Sequence, residues 1–157
     1  LEAQEGVGTA ADRGILSTDL NSDGSYNDLL YVDGSVSSTQ STGVLRMQGQ
    51  EVFKHAVKKL VATGEVAMEA AGVTAAEIDW VVPHQANLRI ISRTAKKMGV
   101  SMDKVVQTVQ DHGNTSAASI PMALSVAVQR GQIKPGNLVL MEAIGGGLAW
   151  GAATLRW

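Results

Sequence analysis

Ile78-Asp79-Trp80-Val81-Val82-Pro83-His84-Gln85-Ala86-Asn87-Leu88-Arg89-Ile90-Ile91 passes from a β-branched run, through a polar turn, into a helix-forming segment. Ile78 to Val82 has strand composition, and Asn87 to Met98 has helical apolar spacing closed by Gly99. Pro83 keeps the end of the strand extended and presents His84 at the turn. The same grammar recurs downstream: Val105 to Val109 reads as a strand, Asp111-His112-Gly113-Asn114 as the turn, and Ala117 to Arg130 as the helix. In an open α/β sheet, the carboxyl ends of strands face the crevice where ligands bind. Two such ends can bring an imidazole and a carboxamide to one carbonyl oxygen that is acquiring negative charge.

Outward from these segments the pattern continues. Gly14 to Leu20 reads as a strand, Asn21-Ser22-Asp23-Gly24 as a turn, and Tyr26 to Val32 as a returning second strand. Ser35 to Gly43, rich in Ser and Thr, reads as a surface loop. From Val44 to Ala71 apolar residues recur at helical spacing, interrupted by Gly64 and stopped at Gly72, so one helix or two is expected. The helix after Asn114, capped by Thr115 or Ser116 with Pro121 near its first turn, is apolar nearly all round. Such a helix is buried on most sides, which suggests a position between two sheets that this chain alone cannot supply. Pro135-Gly136-Asn137 turns the chain into a strand from Leu138 to Ala143. Gly145-Gly146-Gly147 then links it to Trp150 through Trp157, which reads as a β-hairpin. The order ββ-α-β-α-β-α-ββ predicts an α/β domain with a mixed sheet. Leu1 to Glu5 reads as the tail of a strand whose beginning is missing, the mark of a piece of a longer chain.

At 157 residues, 45% hydrophobic and 18% charged, the chain has the bulk for one domain with a core. A net charge of −2 argues against general nucleic-acid binding, and no apolar run approaches a membrane span. The chain contains no cysteine, which excludes a disulfide scaffold and a thiolate metal site. With no signal sequence at its start, the cytoplasm is the expected compartment.

Among candidate groups, His84 reads as a neutral imidazole polarising a carbonyl, or as a capping or satisfied buried histidine. Asn114 reads as a turn residue, or as a second hydrogen-bond donor beside His84. His112 and Asp111 near His84 match no zinc spacing, so no metal is expected. His55 reads as a surface or packing residue. Gly145 to Gly147 lacks the helix and Lys-Ser/Thr of a phosphate loop. It reads either as a hairpin turn or as a close backbone approach that aims an N–H at an oxyanion. Arg89, Arg93, Lys96 and Lys97 share one helix face, which Lys54 is expected to extend; it reads as solvated surface, or as a docking strip for phosphate or an acidic partner.

Three ordered segments carry a family resemblance: His84 through Ile91, His112 through Ser119, and Ala143 through Gly147 followed by Trp150-Gly151. They resemble β-ketoacyl-acyl-carrier-protein synthase III, the condensing enzyme that starts bacterial fatty acid synthesis. The likeness runs from Gly14 to the C terminus and is weakest in the Ser/Thr-rich loop. It implies a thiolase-like fold of two similar halves stacked around a pair of buried helices, of which this chain would be the second. Residues 1–13 are then a remnant of the preceding half and a linker, and residues 14–157 the C-terminal domain.

The resemblance further implies that a cysteine in the first half takes an acyl group from acyl-CoA. Malonyl carried on acyl carrier protein then loses CO₂ and attacks the acyl-enzyme. His84 and Asn114 would hold the malonyl thioester oxygen, and Gly146 would offer its N–H to the tetrahedral intermediate. Asn87 would line the pantetheine tunnel. Gln85, Ala86, Asn87, Leu88 and Arg89 would meet the carrier protein, with Lys54, Lys96 and Lys97 as electrostatic support. Ile144 stands where the family leads one to expect an aromatic residue in the acyl pocket. No permanently bound cofactor is expected; a homodimer is. The alternatives are a related ketosynthase of secondary metabolism and a non-catalytic module that binds the carrier protein.

Overall fold

The structure, a computed structural model, describes residues 5–157; the expectation for Leu1 to Gln4 lies outside them. Strands β1 (Gly14–Ser22), β4 (Trp80–Pro83), β5 (Leu138–Gly145) and β6 (Ala149–Arg156) form one sheet in the order β1-β6-β5-β4. β4 runs parallel to β5, while β5, β6 and β1 are antiparallel neighbours, so the sheet is mixed as expected. β5 begins Leu138-Val139-Leu140, buried on both faces, as a central strand must be. Helices α1 (Gly49–Ala70) and α2 (Leu88–Met98) cover one face around Ile78, Val81, Ile91, Met98 and Leu140. Helix α4 (Ser119–Gln129) covers the other, over Val82, Val106, Val139 and Leu155.

Four local expectations need correction. Tyr26 to Val32 does not return along β1. Asp23 caps a 3-10 turn, Gly24–Leu29, by accepting the Ser25 N–H at 2.9 Å. The chain then forms β2 (Leu30–Val32), which pairs with β3 (Leu45–Met47) in a separate ribbon. The partner position beside β1 belongs to β6. The start of the expected helix at Val44 is therefore strand, and α1 begins at Gly49.

α1 also runs unbroken through Gly64, which is a packing glycine. A Cβ there would lie 3.1 Å from Met98 Sδ and 3.5 Å from Leu140 Cδ2. Val105 to Val109 makes only one bridge, between Val105 and Val81, and then coils into the short α3 (Val109–His112). The cause is Gln85, whose buried Oε1 accepts the Thr108 and Val109 N–H groups at 2.8 and 3.1 Å, taking the donors a strand would have shared. Finally, neither Thr115 nor Ser116 caps the next helix by its side chain. Asn114 Oδ1 accepts the Ser116 N–H at 2.9 Å, a 3-10 turn follows, and α4 starts at Ser119. Pro121 falls in its first turn, where a missing N–H costs least.

On α4 only Ser119, Ala123 and Ala127 are buried, one small-residue face against the sheet. The rest of this apolar helix is uncovered or half-covered among the described residues. Among them, too, no helix is long and apolar enough to cross a membrane.

Glu142 on β5 is a carboxyl sealed in the core. It is 2% exposed, its Oε2 has no hydrogen-bond partner among the described residues, and burial pushes its pKa from 4.5 to about 8. The folded chain thus holds this proton where the unfolded chain releases it. Stability falls as pH rises from 4.5 towards 8, by up to about 1.4 kcal/mol per pH unit. Denaturant titrations at pH 5 and pH 8 should show Glu142→Gln gaining stability relative to the parent at the higher pH; an equal effect at both would mean the carboxyl is charged and solvated.

Candidate active site

β4 ends at Pro83, and the His84 N–H continues the parallel ladder by donating to Glu142 O at 2.7 Å. This fixes the backbone from which the half-buried imidazole projects. His84 Nδ1 lies 2.5 Å from Ser119 Oγ at the start of α4. That hydroxyl, 2% exposed, also accepts the Gln85 N–H at 3.2 Å. We assign the hydroxyl proton to Nδ1 of His84, which places the ring's own proton on Nε2. Desolvation lowers the His84 pKa, which favours the neutral ring. The imidazole is therefore left with a single free N–H donor.

Asn114 occupies the turn before α4. Its carbonyl oxygen is taken by the Ser116 N–H, and the amide NH₂ has no acceptor among the described residues. Gly113, at φ +66°, and Ser116, at φ 52°, bend the chain into this turn. His84 and Asn114 line the same cavity, of about 1070 Å³. Gly145, Gly146 and Gly147 line it too, with the cross-strand pair Ile144 and Trp150, and the ribbon residues Leu30, Leu45 and Met47. A Cβ at Gly146 would lie 3.0 Å from Leu30 O, so glycine is what lets the β5–β6 link approach the ribbon. The Gly146 N–H makes no backbone hydrogen bond among the described residues.

The other expected site residues lie apart from this cavity. Asn87 caps α2, its Oδ1 accepting the Arg89 N–H at 2.8 Å, and is exposed outside the cavity lining. Ala86 is half-buried, while Leu88 and Arg89 are exposed. Gln85 requires a correction: it is fully buried, with Nε2 donating to Pro83 O and Val106 O at 2.8 and 3.1 Å, so its side chain cannot meet a partner. It holds the two loops of the site together instead. Arg89, Arg93 and Lys96 line a second groove, of about 940 Å³, with Phe53, and the Arg89 guanidinium stands 5.5 Å from the Phe53 ring. None of them, nor Lys97, is ion-paired among the described residues, whereas Lys54 is held by Glu51 at 2.7 Å. No three His, Cys, Asp or Glu among the described residues gather to hold a metal ion.

Sequence reading passed over Ser119 and the ribbon. Ser119 lies inside a quoted motif, but nothing in its spacing tells that its hydroxyl faces an imidazole 35 residues away.

A family model described as 3-oxoacyl-[acyl-carrier-protein (ACP)] synthase III C terminal matches residues 68–157. The chain belongs to that family. It is 74% identical over its full length to the β-ketoacyl-[acyl-carrier-protein] synthase III of Ruegeria sp. (strain TM1040), of which it spans 48%. The chain thus has about half the length of the curated synthase III relatives it matches. Among solved structures it is similar to synthase III from Aquifex aeolicus VF5, at 43% identity and a TM-score of 0.86 over 92% of this chain and 45% of that one. It is also similar to the priming β-ketosynthase of a polyketide biosynthetic pathway, at 34% identity and a TM-score of 0.85, over 91% of this chain and 45% of that one. The fold is that of the C-terminal, thiolase-like half of a synthase III.

Nitrogen-detected NMR should find His84 at neutral pH as the uncharged ring protonated on Nε2. Ser119→Ala should release it into a mixture of tautomers. An imidazolium, or a ring protonated on Nδ1, would contradict the hydrogen-bond assignment.

Proposed function

We propose that this chain is the C-terminal half of a condensing enzyme that joins an acyl-CoA starter to malonyl carried on acyl carrier protein, the opening step of fatty acid synthesis. The observation that carries the reading is the pair of free N–H donors, from His84 and Asn114, opening into one cavity. The nucleophilic cysteine comes from an N-terminal half. It takes the acyl group and expels CoA as thiol. Malonyl thioester then enters, its carboxylate leaves as CO₂, and the electron pair of the broken C–C bond passes into the enolate. His84 Nε2–H and Asn114 Nδ2–H donate to the enolate oxygen. Because the imidazole is neutral, it stabilises this charge without having to surrender a proton. The enolate carbon attacks the acyl-cysteine, whose oxyanion accepts the Gly146 N–H, and collapse returns the thiolate with a 3-oxoacyl product.

Arg89, Lys96 and Lys97, exposed and free of carboxylate partners among the described residues, suit the acidic surface of a carrier protein. Leu88 and Ala86 would border the same approach, Asn87 would meet the pantetheine arm outside the cavity, and Lys54 would add charge once released from Glu51. The active form is a homodimer in the cytoplasm. Similarity to the priming β-ketosynthase favours a second reading, in which the same chemistry starts a secondary-metabolite chain. The 74% identity to a β-ketoacyl-[acyl-carrier-protein] synthase III weighs towards the first. A non-catalytic carrier-binding module would leave the two donors in this cavity without a use.

In the protein with both halves present, His84→Ala or Asn114→Ala should lower malonyl decarboxylation by about 10²–10³-fold and cysteine acylation far less. Equal loss in both steps, measured by separate CO₂-release and acyl-transfer assays, would remove the assigned role. Arg89→Glu should weaken carrier-protein binding, and the difference from the parent should shrink as salt rises. An affinity that does not change would make the stripe solvated surface.

A further inference from the structure

Lys59, half-buried near the middle of α1, makes no salt bridge among the described residues, although, after the Ser25 hydrogen bonds, its charge helps lower the Asp23 pKa. Its ammonium lies against two aromatic faces. Nζ is 3.4 Å from the centroid of the Trp150 indole and 4.5 Å from that of the Tyr26 ring. Tyr26 rests in turn on His55, one helical turn earlier on α1, with ring centroids 4.5 Å apart and planes tilted by 54°. One cation thus joins three elements: α1, strand β6 through Trp150, and the Gly24–Leu29 turn through Tyr26. Each of the latter two leads into the cavity wall. Trp150 is the cross-strand partner of Ile144, and both line the cavity. The turn feeds directly into β2, whose residues line it from the ribbon.

An ammonium between an indole and a phenol is attracted to both ring faces, and partial burial weakens the competing hydration. The indole consequently loses rotamer freedom that it would have beside an uncharged neighbour. We propose that Lys59 is a positioning residue for substrate specificity: clamped between Tyr26 and Trp150, it fixes the indole beside Ile144 as a wall of the cavity and so limits the length of acyl chain admitted. This rests on the reading of the cavity as an acyl site.

The test uses the protein with both halves present and compares Lys59→Met, which keeps the aliphatic stem and removes the charge, with Lys59→Arg, which keeps a cation. In the parent, kcat/KM should fall steeply from acetyl-CoA to hexanoyl- and octanoyl-CoA. Lys59→Met should raise the octanoyl-to-acetyl ratio by about threefold to tenfold, mainly through KM, and Lys59→Arg should restore the parent profile. Trp150→Leu should broaden the profile as well, and adding Lys59→Met to it should change nothing further, because the clamp has lost its ring. An unchanged ratio in Lys59→Met, or full additivity in the double variant, overturns the proposal.

A second readout does not depend on catalysis. With 5-fluorotryptophan incorporated, the ¹⁹F resonance of Trp150 should be sharp in the parent and in Lys59→Arg, and shifted or exchange-broadened in Lys59→Met. A resonance that does not move overturns the clamp. If it moves while no acyl-CoA is used by any form, the acyl reading of the cavity fails and the clamp remains.

Discussion

The Ser119 hydroxyl is the joint on which the site depends. It lies where the first turn of α4 meets the end of β4, accepts the Gln85 N–H, and donates to His84 Nδ1. With one lone pair taken by the Gln85 N–H and its proton assigned to Nδ1, it holds the imidazole in place and leaves Nε2 free. Gln85 makes the joint rigid from below. All four of its side-chain hydrogen bonds go to the backbone, two to carbonyls at Pro83 and Val106 and two from the N–H groups of Thr108 and Val109. A fully satisfied buried amide of this kind holds two loops at one separation. His84 is carried by one of those loops. The other leads through α3 into the turn of Asn114, so the spacing of the donors is set by a residue that faces neither.

Much of this was legible in the chain. Pro83 and the β-branched residues before it mark a strand end, Asn87 and Gly99 bracket α2 as cap and stop, and the motifs around His84, Asn114 and Gly146 point to one cavity. What could not be read are the places where a distant side chain overrides local pattern. Val105 to Val109 has strand composition and coils because Gln85 captures its amides. Leu45-Arg46-Met47 has helical spacing with the residues after it and pairs instead with Leu30 to Val32. Gly64 resembles a break and is instead a contact point between α1, Met98 and Leu140. Gln85 itself, adjacent to the catalytic candidate in sequence, resembled an exposed contact and is sealed in the core.

α4 shows the same limit from the other side. Its apolar character all round predicts cover on most sides, yet among the described residues only Ser119, Ala123 and Ala127 are buried, with Ile120 and Leu124 partly buried against the same core. Small residues at that four-residue interval let the helix approach the strands closely. Ile120, Leu124 and Val128 face away from that contact or lie at its margin, with Val128 36% exposed. A helix of this composition is unfavourable as a final surface.

The cavity, finally, is built from unlike parts. Its polar groups, from His84, Asn114 and the Gly145–Gly147 link, hang on sheet backbone and on hydrogen bonds that leave little play. Its apolar side comes from the short β2–β3 ribbon, where Val32, Leu45 and Met47 are more than half exposed. Three paired residues in each strand make a ribbon that cannot be stable by itself. It is held by Gln48 N–H donating to Leu29 O, by Asp33 bonded to the Val44 N–H and Arg46, and by Tyr26 on Lys59. Charge stabilisation needs donors fixed in place, whereas an apolar chain needs only a shape to fill. The division of the cavity into rigid donors and a lightly anchored ribbon allows the second property to vary without disturbing the first.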